Sequence, residues 1–317
     1  KCFILKQLNY ILKRILQMIP VLFVVTIVVF LMIHMLPGDP ARTLLGERAT
    51  YAQVEALQIK LGLNRPLPVQ YWLFLKHLFR LDLGNSVLFG VPVANLLGQR
   101  LFLTLSLTLF SGFIALLISL PLGYIAAARK DRVADHLIRT GALIALSTPV
   151  FWIALLLMML FALKLRWLPV GGWGRTPMEH FMGLILPAFT LSLSTAALLV
   201  RNLRNNIVDI SRSDYVDFAR SKGLSENIVR ARHILRNSLI STATLLSLQL
   251  AHMLGGSVIT ETVFNLPGLG SLMIQAIFGR DYAVVQGGIF VIAVMVLFVN
   301  LITDVLYSLL DPRVALD

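Results

Sequence analysis

Cysteine and charged residues are the two classes that this chain has least of. Its single cysteine, Cys2, excludes an intramolecular disulfide and a metal site made of several cysteines. Only 14% of the residues are charged, against about 25% in a typical soluble domain, while 57% are hydrophobic. This shortage of charge, together with long apolar runs, predicts an integral membrane protein.

The motifs of ATP-hydrolysing and of several other enzymes are also missing. No glycine-rich phosphate loop of the pattern GxxxxGK followed by Ser or Thr occurs, so we expect no ATP hydrolysis by this chain alone. No HExxH, GxSxG or EF-hand pattern is present, and His233 and His252 stand without clustered partners, so we predict no metal site. The acids within the apolar runs are Glu261 and Asp304, too few for an ion-coupled secondary transporter or an intramembrane protease.

The net charge of +12 points to membrane topology rather than to nucleic acid. The Lys and Arg residues are spread over several loops and form no single stripe interleaved with aromatics, so we predict no nucleic-acid partner. Loops rich in Lys and Arg stay on the cytoplasmic side of a membrane, where they contact lipid headgroups.

Six apolar runs are long enough to cross a bilayer, which needs about 20 residues per helix. They lie at about residues 12–36, 101–128, 137–163, 183–203, 238–263 and 284–310. The sequence therefore predicts a single all-α membrane domain over residues 1–317. The long segment 37–100 is too polar and too interrupted to be a span, and we expect two amphipathic helices in it, at about 51–61 and 69–81.

Three basic stretches determine the predicted orientation. They are the N-terminal tail, the loop after the second span, and the loop of about residues 204–237 after the fourth span. With six spans all three fall on one side, which the positive-inside rule assigns to the cytoplasm. We therefore expect both termini in the cytoplasm and the segment 37–100 on the extracytoplasmic side.

The loop after the fourth span is the most informative stretch, because two membrane helices can be joined by a handful of residues. Residues 214–237 read DYVDFARSKGLSENIVRARHILRN and are dense in charge. The spacing predicts a short surface helix with Tyr215, Phe218 and Ala219 on one face, followed by Gly223 as a left-handed cap. Such a helix suits a groove in a partner protein, and the alternative is a helix that lies on lipid headgroups.

This loop resembles the coupling loop, or EAA loop, of ABC-importer permeases of the peptide/nickel family. The positions that align with the motif are Asp217, Phe218, Ala219 and Gly223. Asp217 stands where the motif usually has Glu, and Phe218 stands where it has a small residue. Three further stretches resemble the same family in the same order, at residues 30–46, 255–287 and 300–313. The pattern is that of the first of the two permease subunits of such systems.

The resemblance implies the fold, the location and the partners. The implied fold is an all-α integral membrane protein with six transmembrane helices, the type I ABC-importer permease architecture, in the bacterial inner membrane. A second homologous permease subunit, two ATPase subunits and an extracytoplasmic solute-binding protein complete such a complex, with membrane lipid around it. No cofactor is expected in this chain, because ATP and Mg are bound by the partner ATPase subunits.

The resemblance also implies half of a translocation pathway for small peptides of the dipeptide or oligopeptide type, with nickel or a metal chelate as the alternative solute. The expected ATPase-coupling residues are Asp214, Tyr215, Asp217, Phe218, Ala219, Lys222 and Gly223. Polar residues in the second to fifth spans are candidates for the pathway, because a hydrophilic solute needs polar groups that do not face lipid. They are Thr104, Thr108, Ser147, Thr148, Ser192, Ser194, Gln249 and His252. Hydrogen bonding between helices is an equally open role for each of them.

Overall fold

Helices dominate the chain, as the sequence predicts. The computed structural model describes residues 2–35, 42, 45, 49–62 and 64–310. The α-helices are α1 (Cys2–Met35), α2 (Tyr51–Leu61), α3 (Leu67–Phe79), α4 (Val93–Ala128), α5 (Val133–Ser147), α6 (Val150–Leu157), α7 (Pro177–Ser211), α8 (Asp214–Ser221), α9 (Glu226–Ile228), α10 (Arg236–Val263), α11 (Leu269–Phe278) and α12 (Tyr282–Leu310). Two π-helical stretches continue them, π1 (Met158–Lys164) after α6 and π2 (Val229–Leu235) between α9 and α10. The PGDP sequence at 37–40 and the C-terminal residues 311–317 lie outside the described residues.

Five helical stretches in the described residues are long and apolar enough to cross a membrane. They are 11–32, 93–128, 177–211, 226–263 and 282–305. Each contains or overlaps a predicted span, and this confirms the prediction of an all-α membrane protein. The helices around the second and fourth predicted spans begin earlier than the apolar runs, at Val93 and Pro177, because polar residues extend these helices beyond the apolar run.

The predicted span 137–163 consists of two helices that meet at a sharp bend. α5 and α6 meet at an angle of 104°, and they complete a sixth span only if the bent pair is counted as one. Between them Thr148 has an extended backbone with φ −88° and ψ 129°. The ring of Pro149 disfavours a helical conformation at the residue before it and supplies no N–H to continue the helix. The Thr148-Pro149 dipeptide therefore explains the bend.

Small residues let α4 and α7 pack closely. Ala115 is fully buried and Ala196 almost so, and both lie in one cluster with the buried Leu199. A Cβ atom placed on Gly123 would lie 3.0 Å from Cδ2 of Leu203. In lipid, helices associate through van der Waals packing of this kind, because the surrounding acyl chains are as apolar as the helices themselves.

Residues 64–92, which precede α4, fold back onto the membrane helices. The hydroxyl of Tyr71 on α3 lies 2.8 Å from the hydroxyl of Thr26 on α1. Nearer to α4, Ser86 donates a 2.5 Å hydrogen bond to the buried Asp281, and the backbone N–H of Leu88 donates to the same oxygen at 3.0 Å. The segment is therefore fastened both to α1 and to the connection that precedes α12.

Candidate coupling helix and polar groove

α8 is the short helix that the sequence predicts in the loop after the fourth span. Asp214 and Asp217 lie in its first turn, where the helix dipole favours negative charge. Just beyond its end Gly223 has φ +79°, and its N–H donates a 2.9 Å hydrogen bond to the carbonyl of Arg220. Glycine adopts this left-handed backbone without steric cost, because it has no Cβ. The predicted left-handed cap is confirmed.

One face of α8 is buried against the rest of the chain. Val216 is fully buried and Ala219 is 5% exposed. Their cluster includes buried residues of α7 and π2, namely Leu203, Ile207, Val208, Val229 and Ile234. The prediction that Ala219 shares the outward face of Tyr215 and Phe218 is therefore wrong. Ala219 is three residues from Val216 as well as four from Tyr215, and the packing of Val216 draws it to the inner side.

The opposite face of α8 leaves aromatic residues in the open. Phe218 is 61% exposed and Tyr215 is 43% exposed. The ammonium group of Lys222 lies 4.6 Å from the centroid of the Phe218 ring, a cation–π contact. Leu224 and Ile228 extend the exposed apolar surface beyond the helix, and sequence analysis did not single them out. This surface, apolar with a positive charge at its edge, can enter an apolar groove that carries acidic residues.

Arg220 joins the end of α8 to the start of α9. Its guanidinium contacts Glu226 Oε1 and Asp217 Oδ1, each at 2.9 Å. The hydrogen bonds that Arg220 donates to Glu226 and then to Asp217 raise the pKa of Arg220 above its ordinary value. Exposed ion pairs of this kind contribute little stability each, so their effect is to orient the turn around Gly223. The side chains of Asp214 and Asp217, two of the predicted coupling residues, are exposed.

A polar groove of about 480 Å³ lies between α7 and α10. Its lining residues are all uncharged: Asn202, Asn237, Ile240, Ser241, Thr244, Leu245 and Leu248. Along α10 the positions 237, 241, 244 and 248 recur every three or four residues and therefore share one face. The exposed His252, a predicted pathway residue, continues that face. Sequence analysis missed Asn237, Ser241 and Thr244, although the same spacing could have found them.

The eight residues predicted to line a pathway fall into two groups. The hydroxyls of Thr104, Thr108 and Ser192 are buried and donate to Glu261 Oε1 at 2.7 Å, to the Thr104 carbonyl at 2.9 Å and to the Phe189 carbonyl at 2.7 Å. The other five are exposed or half-buried: Ser147, Thr148, Ser194, Gln249 and His252. The structure does not gather the eight into one site, and the three buried hydroxyls fit the alternative role of hydrogen bonding within the protein.

Comparison with known proteins relates nearly the whole chain to one group. Residues 119–316 match the family described as binding-protein-dependent transport system inner membrane component, and residues 7–108 match the N-terminal component of the same system. The glutathione transport system permease protein GsiC of Escherichia coli (strain K12) is 39% identical over 308 residues, which are 97% of this chain and 99% of that protein. GsiC of Salmonella typhimurium (strain LT2) is also 39% identical with the same coverage.

A solved structure has a similar arrangement of helices. An inward-facing conformation of the MetNI methionine ABC transporter superposes with a TM-score of 0.56 and covers 68% of this chain and 96% of that chain. The sequences are 17% identical, so the likeness concerns the fold alone.

Proposed function

The chain belongs to the family of binding-protein-dependent transport system inner membrane components, and on that premise we propose that it forms half of a translocation pathway for small peptides and couples that pathway to ATP hydrolysis by partner subunits. Membership confirms the resemblance to the ABC-importer permeases of the peptide/nickel family. The fold is that of a type I importer permease. The chain is therefore a membrane component of a transporter rather than its ATPase.

One observation carries the coupling part of the proposal: one face of α8 is packed against the chain, and the opposite face is exposed. Tyr215 and Phe218 face outward, while Val216 and Ala219 pack against α7 and π2. Exposed aromatic residues are typical anchors of protein–protein interfaces. Because the underside of the helix is packed against the chain, a displacement of α8 by an ATPase moves α7 and α10 as well. This supports transmission by a rigid-body movement of packed helices.

Small peptides are the proposed solute class. The relatives named above are glutathione permeases, and the uncharged amides and hydroxyls of the groove suit the amide groups of a peptide. Nickel or metal-chelate uptake is the alternative from the sequence. Within the described residues no three His, Cys, Asp or Glu side chains gather to hold a metal ion, and no other observation on those residues favours the alternative.

We place the remaining partners around the exposed face of α8 and the polar groove between α7 and α10. A second homologous permease subunit faces the open groove of α10 and closes the pathway from the other side. Two ATPase subunits, which hold ATP and Mg, bind α8 and its counterpart in the second permease. An extracytoplasmic solute-binding protein delivers the peptide from the side of the segment 37–100. The distribution of Lys and Arg supports cytoplasmic termini and contact of the basic loops with lipid headgroups.

Reconstitution tests this proposal. The complete complex in proteoliposomes should accumulate labelled glutathione or a dipeptide only when ATP and the loaded binding protein are supplied. The purified chain without partners should hydrolyse no ATP. ATP hydrolysis by the isolated chain, or nickel uptake by a complex that ignores peptides, would overturn the proposal.

A further inference from the structure

The geometry points to the hydroxyl of Tyr215 as a positioning group that orients Asn237 at the cytoplasmic end of the polar groove, so that the shape of the groove follows the position of α8. The inference rests on the proposed function, because it assigns a role within the coupling of α8 to the pathway.

Three groups form a closed hydrogen-bonded triangle at this point. Tyr215 Oη donates to the carbonyl of His233 at 3.2 Å. Asn237 Nδ2 donates to Tyr215 Oη at 3.0 Å and to the same His233 carbonyl at 2.9 Å. A carboxamide nitrogen carries two N–H donors, and both are used here. The side chain of Asn237 is therefore held in one orientation, with the tyrosine hydroxyl as the contact that comes from α8.

Asn237 is at the same time a wall of the groove. It lies there with Ser241 on α10 and with Asn202 on α7. Ser241 Oγ is 3.5 Å from Asn202 Oδ1, at the limit of a hydrogen bond, and Asn206 Nδ2 donates to that same oxygen at 2.9 Å. The cytoplasmic end of the groove is thus a cluster of neutral amides and a hydroxyl, groups that exchange hydrogen bonds with the amides of a peptide.

The triangle joins α8 to the helical stretch that leads into α10. Tyr215 belongs to α8, whereas the His233 carbonyl belongs to π2 and Asn237 to the first turn of α10. Hydrogen bonds at 3.0 and 3.2 Å weaken steeply when the donor and acceptor separate further. A shift of α8 by about 1 Å relative to α10 therefore breaks the contact between Tyr215 and Asn237 and leaves one N–H of the carboxamide free to turn into the groove, while the bond to the His233 carbonyl stays. The buried contacts of Val216 continue to hold α8 to the chain.

The test removes the hydroxyl alone. Tyr215→Phe keeps the aromatic ring on the α8 surface, so binding of the ATPases should persist. In proteoliposomes with the full complex, we expect the number of peptides transported per ATP hydrolysed to fall roughly threefold to tenfold, the equilibrium effect of one neutral hydrogen bond. Tyr124→Phe is the matched control, because Tyr124 lies at the cytoplasmic end of α4 and makes no hydrogen bond within the described part of the chain.

Two further outcomes decide the inference. Tyr215→Phe and Asn237→Ala should be non-additive, because each breaks the same contact. Fully additive losses, or an unchanged ratio of transport to hydrolysis in Tyr215→Phe, would overturn the positioning role. Both of these measurements require a complex that transports peptide.

A labelling measurement separates failure of the inference from failure of the proposed function. In a variant with Cys2→Ser and Ser241→Cys, a soluble thiol reagent should modify position 241 at a rate that rises at least threefold when Tyr215→Phe is added. The labelling rate is measured without transport, so the test remains valid even if the complex carries no peptide. An identical rate with and without the Tyr215 hydroxyl would refute the link between Tyr215 and the groove.

Discussion

The hydroxyl of Thr104 on α4 donates a 2.7 Å hydrogen bond to Oε1 of Glu261 near the end of α10, a residue 157 positions later in the chain. The same hydroxyl oxygen accepts the N–H of Leu269, and Glu261 Oε2 accepts the N–H of Ser271 at 3.0 Å. The Thr104 hydroxyl and the Glu261 carboxylate therefore accept hydrogen bonds from the backbone N–H groups of Leu269 and Ser271 in the first turn of α11. A Cβ on Gly268 would lie 2.3 Å from Glu261 Oε2, so glycine is needed for this approach.

Thr104→Val should destabilise the protein, because it leaves the buried N–H of Leu269 without its acceptor and removes the shorter of two hydrogen bonds to Glu261 Oε1. An unsatisfied buried group costs about 1–3 kcal/mol. Thermal unfolding of the purified complex measures the loss. Thr108→Val is the matched control, since among the described residues the Thr108 hydroxyl bonds only the carbonyl one turn earlier in its own helix. Equal stability of the two variants would contradict the account.

Breaking the ion pair between Arg204 and Asp135 should cause a larger loss of stability. Arg204 on α7 contacts Asp135 on α5 at 2.6 Å, and the carboxyl side chain is fully buried. Arg204→Met leaves this carboxylate without a charge partner and should cost about 3 kcal/mol of stability. Adding Asp135→Asn should recover part of that loss, because the unpaired buried charge is then gone. A double variant less stable than Arg204→Met would show that the pair is not the cause.

Gly223 allows a test of the left-handed cap. Its φ is +79°, and a Cβ placed there would meet no atom of the described residues within 4 Å, so backbone strain is what opposes substitution. Gly223→Ala should cost about 1–2 kcal/mol in the loop. Gly223→Pro should uncouple transport from ATP hydrolysis, because proline holds φ near −65°. Gly223→Asn tolerates the conformation and should behave nearly as the wild type. Co-purification of the ATPases and peptide uptake are the measurements.

The two faces of α8 should respond differently to a charge. Phe218→Asp introduces it on the exposed face and should abolish binding of the ATPases while the chain stays folded. Ala219→Asp buries it beside Val216, where a desolvated charge costs several kcal/mol, so this variant should unfold the loop itself. Limited proteolysis of the loop and co-purification distinguish the two results. If Ala219→Asp resisted proteolysis and lost only ATPase binding, the burial of Ala219 would be contradicted.

The predicted orientation can be checked by thiol labelling after Cys2→Ser. A cysteine in place of Arg175, an exposed residue before α7, should react with an impermeant reagent added outside. A cysteine in place of Ser225 should react only after the membrane is opened. Gly171 is unsuitable, because a Cβ there would lie 2.1 Å from the carbonyl oxygen of Phe264. Reversed labelling would overturn the orientation derived from Lys and Arg.

The sequence by itself determined the class of protein, its helices and the existence of α8. These properties depend on composition and on spacing along the chain, namely apolar runs of membrane length, basic loops, and a glycine after a short amphipathic stretch. Gly223 is an example, because a helix that stops at a glycine needs only local information to predict a left-handed cap. The family, too, was recognisable from short stretches of sequence.

Tertiary structure alone decided which side of each helix is used. Periodicity placed Ala219 beside Phe218, and only packing against α7 and π2 turned it inward. The contact of Thr104 with Glu261 and that of Tyr215 with Asn237 join residues that no local pattern relates. Neighbouring faces of a short helix differ by a small rotation, so their burial depends on the shape of the surface they meet. That surface is assembled from segments far apart in the chain.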